Sequence, residues 1–215
     1  MEATLKELEE IYREIRECRR CPLHKYRKNP VPGEGPVNAR VMFVGEAPGK
    51  TEDETGRPFV GAAGKLLTSL LESIGLSRGM VYITNIVKCR PPGNRDPKDD
   101  EIEACIPFLW RQIKVIRPRI IVALGRHAAR VLFEKAGIRW VNMKAMHGRV
   151  FPGVIEGVSV KLVATYHPAA ALYNPKLRSS LENDFRNVIS RLVSSQDLEG
   201  HQPTLLDFLS KKPRV

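Results

Sequence analysis

Cysteine occurs four times in the chain, as Cys18, Cys21, Cys89 and Cys105. The pattern is C-x2-C, a long gap, then C-x15-C. Thiolates are soft ligands, so the chemistry on offer is metal coordination. A disulfide reading suits an intracellular chain poorly, and a C-x2-C loop is strained as a structural bridge. Zinc usually takes two tight hairpin pairs, and the second pair here is too widely spaced for one. An iron–sulfur cluster is larger and accepts four thiolates from dispersed loops. The spacing therefore leans towards iron–sulfur, with zinc left open. Arg19, Arg20, Lys88 and Arg90 flank the cysteines and would offset thiolate charge.

The stretch VMFVGEAPGKT, residues 41–51, is a second candidate. An apolar run enters a glycine-rich turn ending in Gly-Lys-Thr, which resembles a phosphate-binding loop. Such a loop needs G-x-x-x-x-G-K-[ST], so that a wide ring of backbone N–H groups surrounds the phosphates. Here Val44 stands where the first glycine belongs, Gly45 lies one residue too close, and Pro48 removes an N–H donor. A nucleotide hydrolase of this kind also needs a strand ending in a magnesium-binding Asp. The strands described next end in Asn85, Gly125 and His167 instead. The loop is thus a candidate wall for another ligand.

These residues need elements to hold them. Apolar residues at helical spacing (Leu5, Leu8, Ile11, Tyr12, Ile15) predict a helix over residues 3–17. Residues 19–39, rich in Pro, Gly and basic side chains, read as loop. Short apolar runs predict strands at 39–46, 80–87, 119–125 and 159–167. Helices are expected over 61–74, 98–116, 126–136 and 178–194, the second with an acidic first turn of Asp99, Asp100 and Glu101. Short apolar strands alternating with helices indicate a parallel sheet covered on both faces. Ligands in such sheets bind outside the carboxyl ends of the strands. Those ends carry Gly45, Glu46, Ala47 and Pro48, then Asn85, Gly125 and His167.

Formal net charge is +11 over 215 residues. A polyanionic partner such as nucleic acid would account for the excess, and several basic clusters fall in Gly/Pro-rich loops where ligand surfaces lie. No apolar run approaches the ~20 residues needed to cross a bilayer. The charged amphipathic N-terminus does not read as a secretory signal. The expectation is an intracellular, cytoplasmic protein associated with the nucleoid.

The segments GEAPGKTEDETGRPFVGAAGKLL, NIVKCRPPGNRDP and TYHPAA, together with the cysteine pattern, resemble the family 4 uracil-DNA glycosylases. These are thermostable enzymes of bacteria and archaea that hold a [4Fe-4S] cluster. The resemblance covers residues 5–195. It implies a three-layer α/β/α sandwich with a central, mainly parallel four-stranded sheet, and one glycosylase domain over residues 1–195. It implies a monofunctional DNA glycosylase of base excision repair, which flips uracil out of DNA and hydrolyses its N-glycosidic bond. Carried over by motif, Phe59 would stack on uracil and Asn85 would read O4 and N3–H. His167 would donate to O2 and stabilise the leaving anion. Glu46, Ala47 and Pro48 would line the pocket, with Glu46 a candidate near the attacking water. Family 1 enzymes place an Asp where Ala47 stands, so the water-positioning group is an open point.

In the same resemblance, Cys18, Cys21, Cys89 and Cys105 would ligate the cluster, which is structural rather than redox-active in catalysis. The loop 167–178 would enter the groove, with Ala170, Ala171 and Leu172 filling the space of the flipped base. Lys176 and Arg178 would contact phosphates. Beyond the domain, residues 196–215 read as a polar tail. Residues 202–209, QPTLLDFL, resemble the peptide by which repair proteins bind the sliding clamp (PCNA). Leu205, Phe208 and Leu209 would fill a groove on the clamp and Gln202 a separate small pocket. Such a peptide points to an archaeal source. The protein is expected to be a monomer with uracil-containing DNA and the clamp as partners, and no membrane.

Overall fold

A computed structural model of the chain describes residues 2–194. The apolar runs at 39–46, 80–87, 119–125 and 159–167 become β1 (Val41–Gly45), β2 (Tyr82–Asn85), β3 (Ile120–Leu124) and β5 (Val158–Thr165). A further strand, β4 (Val150–Ile155), precedes β5. The sheet order is β2-β1-β3-β5-β4. All neighbours pair in parallel except β4 and β5, which are antiparallel. The expected four-stranded sheet is therefore five-stranded. Pro152 and Gly153 obscure β4 in the sequence, because Pro cannot donate to a ladder and Gly weakens a strand. That composition suits its place at the sheet edge.

Alternate side chains of each strand point to opposite faces. Met42 and Val44 enter one core with α1 (Glu2–Glu17), α4 (Asp99–Ile116) and α5 (Arg126–Lys135), through residues such as Ile11, Phe108, Leu109 and Leu132. Val41 and Phe43 enter the other with α3 (Ala62–Ser73), through Leu67 and Leu71. Leu181 of the C-terminal helices also joins that second core. Two helical layers thus sandwich the sheet, as the α/β/α reading requires. Among the described residues no helix is long and apolar enough to cross a membrane.

Several short helices replace expected loops. These are α2 (Lys50–Thr55), α6 (Met143–Met146), α7 (Pro168–Tyr173) and the start of α8 (Pro175–Asp184). Pro168 and Pro175 each sit in the first helical turn, where their missing N–H is not needed. After α8 the chain continues through one π-helical turn, Phe185–Ile189, into α9 (Ser190–Ser194).

Candidate active site

The carboxyl ends of β1, β2, β3 and β5 open into a cleft of about 600 Å³. Its lining includes all six expected pocket residues, Glu46, Ala47, Pro48, Phe59, Asn85 and His167. Parallel register brings them together. Gly45 pairs with Asn85, and Leu124, just before Gly125, pairs with Thr165, just before Tyr166 and His167. An alanine methyl at Gly45 would lie 2.5 Å from both Asn85 Oδ1 and the Phe59 ring. The missing side chain is what lets ring and amide close on one small space.

Phe59 is held in an uncommon backbone conformation, with φ at 50°. For a bulky residue that is strained, and it persists only where surroundings enforce it. Arg78 donates to the carbonyls of Phe59 and Pro58 at 2.9 and 2.8 Å. Glu52 accepts from the N–H groups of Val60 and Gly61 at 2.9 and 2.8 Å. Gly64 lets α3 press directly on the Phe59 carbonyl. The result tilts the Phe59 ring over His167, with centroids 5.6 Å apart.

Asn85 is 1% exposed. Its Oδ1 is a buried side-chain acceptor with no hydrogen-bond partner, alone in this among the described residues. Such an atom costs stability unless a ligand supplies the donor. His167 caps α7, its Nδ1 accepting from the Ala169 N–H at 3.1 Å. Burial pushes its pKa down to about 4, against a weaker upward pull from Glu52. The ring is therefore neutral near pH 7. With Nδ1 accepting, its proton sits on Nε2.

Glu46 is partly buried, and burial raises its carboxyl above the usual range, opposed by His127 and Arg126 and reinforced by Asp96. Oε1 accepts from the His127 N–H at 3.2 Å. That N–H belongs to the first turn of α5, whose cap residue Gly125 has no side chain to offer. Gly125 has φ of 94° and sits so close that a methyl there would meet Glu46 Oε1 at 2.5 Å and His167 Cβ at 3.1 Å. Asp96 accepts from Arg126 at 2.5 Å and lies 3.3 Å from His127 Nε2, completing a charged rim.

The family model described as the uracil DNA glycosylase superfamily matches residues 32–192. The type-4 uracil-DNA glycosylase of Saccharolobus solfataricus is 54% identical over 188 residues, covering 87% of each chain. That of Archaeoglobus fulgidus is 50% identical over 205 residues, covering 95% of this chain and all of its own. That of Pyrobaculum aerophilum is 53% identical over 178 residues, 83% of this chain and 91% of its own. The chain belongs to the type-4 uracil-DNA glycosylases.

For a type-4 glycosylase the cysteines need a separate account. Cys18 and Cys21 follow α1, Cys89 follows β2 and Cys105 lies in α4. All four line one small cavity with Ile15, Val87 and Phe108. None is in a disulfide. Arg27 donates to Cys89 Sγ at 3.1 Å, and the Lys88 N–H to Cys105 Sγ at 3.2 Å. Burial raises the pKa of Cys21 and Cys89 and pushes Cys105 up to about 12. Ligation must therefore displace protons, which metals do. Tetrahedral zinc with Zn–S near 2.3 Å sets its sulfurs about 3.8 Å apart. Among the described residues only Glu46, Asp96 and His127 bring three ligand atoms within 4.8 Å of one another, and no three cysteines do. The sulfur set is wider than a single zinc ion imposes, which fits a larger centre.

The expected groove-entering segment is different in detail. Ala170 is exposed, but Ala171 is 1% exposed and Leu172 packs on the second core. Forming α7 turns Ala171 inward and leaves Leu172 half-buried against that core. The protruding side chain is Tyr173, 89% exposed. Lys176 is exposed, while exposed Arg178 pairs with Glu182 at 2.9 Å. Residues 202–209, with Gln202, Leu205, Phe208 and Leu209, lie outside the described residues. Sequence reasoning missed Glu52, Arg78, His127 and Tyr173. Glu52 and Arg78 act by bonds to distant backbone, and His127 by its own N–H on the distant Glu46 carboxylate, which leave no local pattern.

Proposed function

We propose that the protein removes uracil from DNA as a monofunctional glycosylase of base excision repair, leaving an abasic site. The observation that carries this is the unpartnered Oδ1 of Asn85, buried beside Phe59 and opposite His167. Uracil N3–H supplies the missing donor, and the amide N–H answers O4. Cytosine presents the reverse pattern at that edge, so the same amide rejects it. Phe59 stacks on the ring. As the C1′–N1 bond breaks, its electron pair moves onto the base, and His167 Nε2–H donates to O2 where the charge gathers. Glu46, anchored by one oxygen to α5, orients the attacking water in place of the acid that Ala47 lacks. DNA contacts come from Ala170, Tyr173 and Lys176, with Arg178 in reach of a phosphate once Glu182 yields it.

Cys18, Cys21, Cys89 and Cys105 hold a [4Fe-4S] cluster, whose contribution is to pin the N-terminal segment and the Cys89 loop without a redox step in catalysis. The glycosylase domain spans residues 1–195 and acts as a monomer. Residues 202–209 dock on the sliding clamp. Incubation with a uracil-containing oligonucleotide followed by alkali should cut the strand at uracil. An uncut strand across the working temperature range would end this reading. Deleting residues 202–215 should abolish clamp binding and leave excision intact, and undiminished clamp binding would refute the tail assignment. Stoichiometric iron and acid-labile sulfide test the cluster, and zinc in their place would exclude it.

A further inference from the structure

His167 carries the donor of the proposed reaction, yet little holds its ring beyond the Phe59 contact. Among the described residues its one side-chain hydrogen bond is the local one from the Ala169 N–H, and no carboxylate grips the imidazole from behind. The aim of Nε2 is therefore set by where the backbone of β5 ends, at Thr165, two residues earlier. Asp184 holds that strand end. It is 1% exposed, at the end of α8. Thr165 Oγ1 donates to Asp184 Oδ2 at 2.6 Å. His147 Nδ1 lies 2.9 Å from the same oxygen and 3.2 Å from Oδ1. A carboxylate only accepts, so Nδ1 carries the proton. The His147 ring in turn lies against Tyr166, with centroids 4.7 Å apart, and Tyr166 lines the cleft. Both residues directly before His167 are thus steadied from Asp184, Thr165 by its hydroxyl and Tyr166 by the His147 ring.

The backbone around this carboxylate is fitted to it. Gly148 has φ of 64°, and a methyl there would collide with Asp184 Oδ1. The Gly148 N–H donates to the Ala164 carbonyl at 2.9 Å, which lays residues 147 and 148 along the end of β5. The Thr165 carbonyl accepts from the Gly125 N–H at 2.9 Å, so the strand end is also tied to the β3 side of the cleft. Asp184 is itself anchored, because the next residue, Phe185, is wholly buried and stacks on Phe43 of β1. The Thr165–Asp184 bond therefore closes the base of a loop that carries His167, α7 and Tyr173, and Asp184 is not part of the cleft lining. A buried carboxylate is costly unless donors meet it. The donors that meet this one are those that steer His167.

We propose that Asp184 is a positioning residue for the leaving-group donor, fixing through Thr165 and His147 the strand end that aims His167 Nε2 at the base. This rests on the reading that the protein excises uracil with His167 as that donor. The test is excision from a uracil-containing oligonucleotide, in single-turnover and steady-state form, well below the Tm of each variant. Asp184→Ala should lower kcat by up to about 10²-fold, the scale of a misplacement of about 1 Å. KM should hold, because the interaction lost is made in the transition state. Thr165→Val should reproduce part of that loss, and Thr165→Ser, which keeps the hydroxyl, should restore it. A His167→Ala background separates aim from stability. There Asp184→Ala should cost no further kcat, since the group it aims is gone, whereas a loss through unfolding would persist. The full loss recurring in that background, or wild-type kcat in Asp184→Ala alone, would overturn the proposal and leave the excision reading intact. If Asp184→Ala does not fold, the same pair of measurements on Thr165→Val decides the matter. A wild type that excises no uracil, or a His167→Ala variant as active as wild type, would instead remove the reading on which the proposal rests.

Discussion

Gly45→Ala adds one methyl group at the floor of the cleft. The φ of Gly45 is not in the left-handed region, so alanine brings no backbone strain. What it brings is contact, at 2.5 Å from Asn85 Oδ1 and from the far end of the Phe59 ring. Ordinary contact begins near 3.4 Å, so one or both groups must retreat by roughly 1 Å. Overpacking of this kind costs about 1–3 kcal/mol of stability. The effect on rate should be larger in proportion, because a misplacement of about 1 Å in a positioned group lowers rate by ~10²-fold. Moving the ring also disturbs the Phe59–His167 contact, so stacking and leaving-group stabilisation suffer together. The assay is kcat/KM on a uracil-containing oligonucleotide, with a thermal melt and iron content as controls. A variant that folds, keeps its metal and excises uracil within a few-fold of wild type would refute the claim that ring and amide close on the base across Gly45.

Asn85→Ala removes two hydrogen bonds of about 1–3 kcal/mol each and should lower kcat/KM by roughly 10²-fold or more. It also removes an unpaired buried acceptor, so Tm should hold or rise, and a clear fall would argue that Oδ1 is satisfied without ligand. His167→Ala should cost ~10²–10³ in kcat through loss of the donor to O2. Because its folded pKa is about 4 against an ordinary 6.5, the unfolded chain binds the extra proton first. His167 therefore contributes stability above pH 6.5 that is lost as pH falls towards 4, and chemical denaturation across that window should show a shallower loss in His167→Gln. Tyr173→Ala should weaken duplex binding by about 1–3 kcal/mol if the ring stacks on a base, measured against a single-stranded control. Cys105→Ser should lose bound metal and melt lower, and full iron retention would remove it from the ligand set.

The strand ends that line the cleft were legible because a parallel sheet directs its carboxyl ends to one side, and four short apolar runs marked those ends. Asn85 and His167 were visible by position, and the cysteines by type. The Phe59 clamp was not, because Glu52 and Arg78 act on backbone groups across tertiary distances that no local periodicity records. The fifth strand was hidden by Pro152 and Gly153, which read as turn residues until the antiparallel edge is seen. The burial of Ala171 was hidden for a related reason, since a proline after His167 looks like a break but sits at the first turn of a helix. The neutral tautomer of His167 follows only once the Ala169 N–H is placed.

The order of the cysteines along the chain bears on how the protein is made. All four cysteines have been synthesised by residue 105, together with α1, β1 and β2, whereas β3, β5 and His167 come later. None of these thiols waits for the second half of the polypeptide. On the proposed reading, a growing chain would hold every thiol of the cluster site while the cleft still lacks two of its walls. Some sixty residues of synthesis, from Cys105 to His167, separate the last of these thiols from the last residue of the expected pocket.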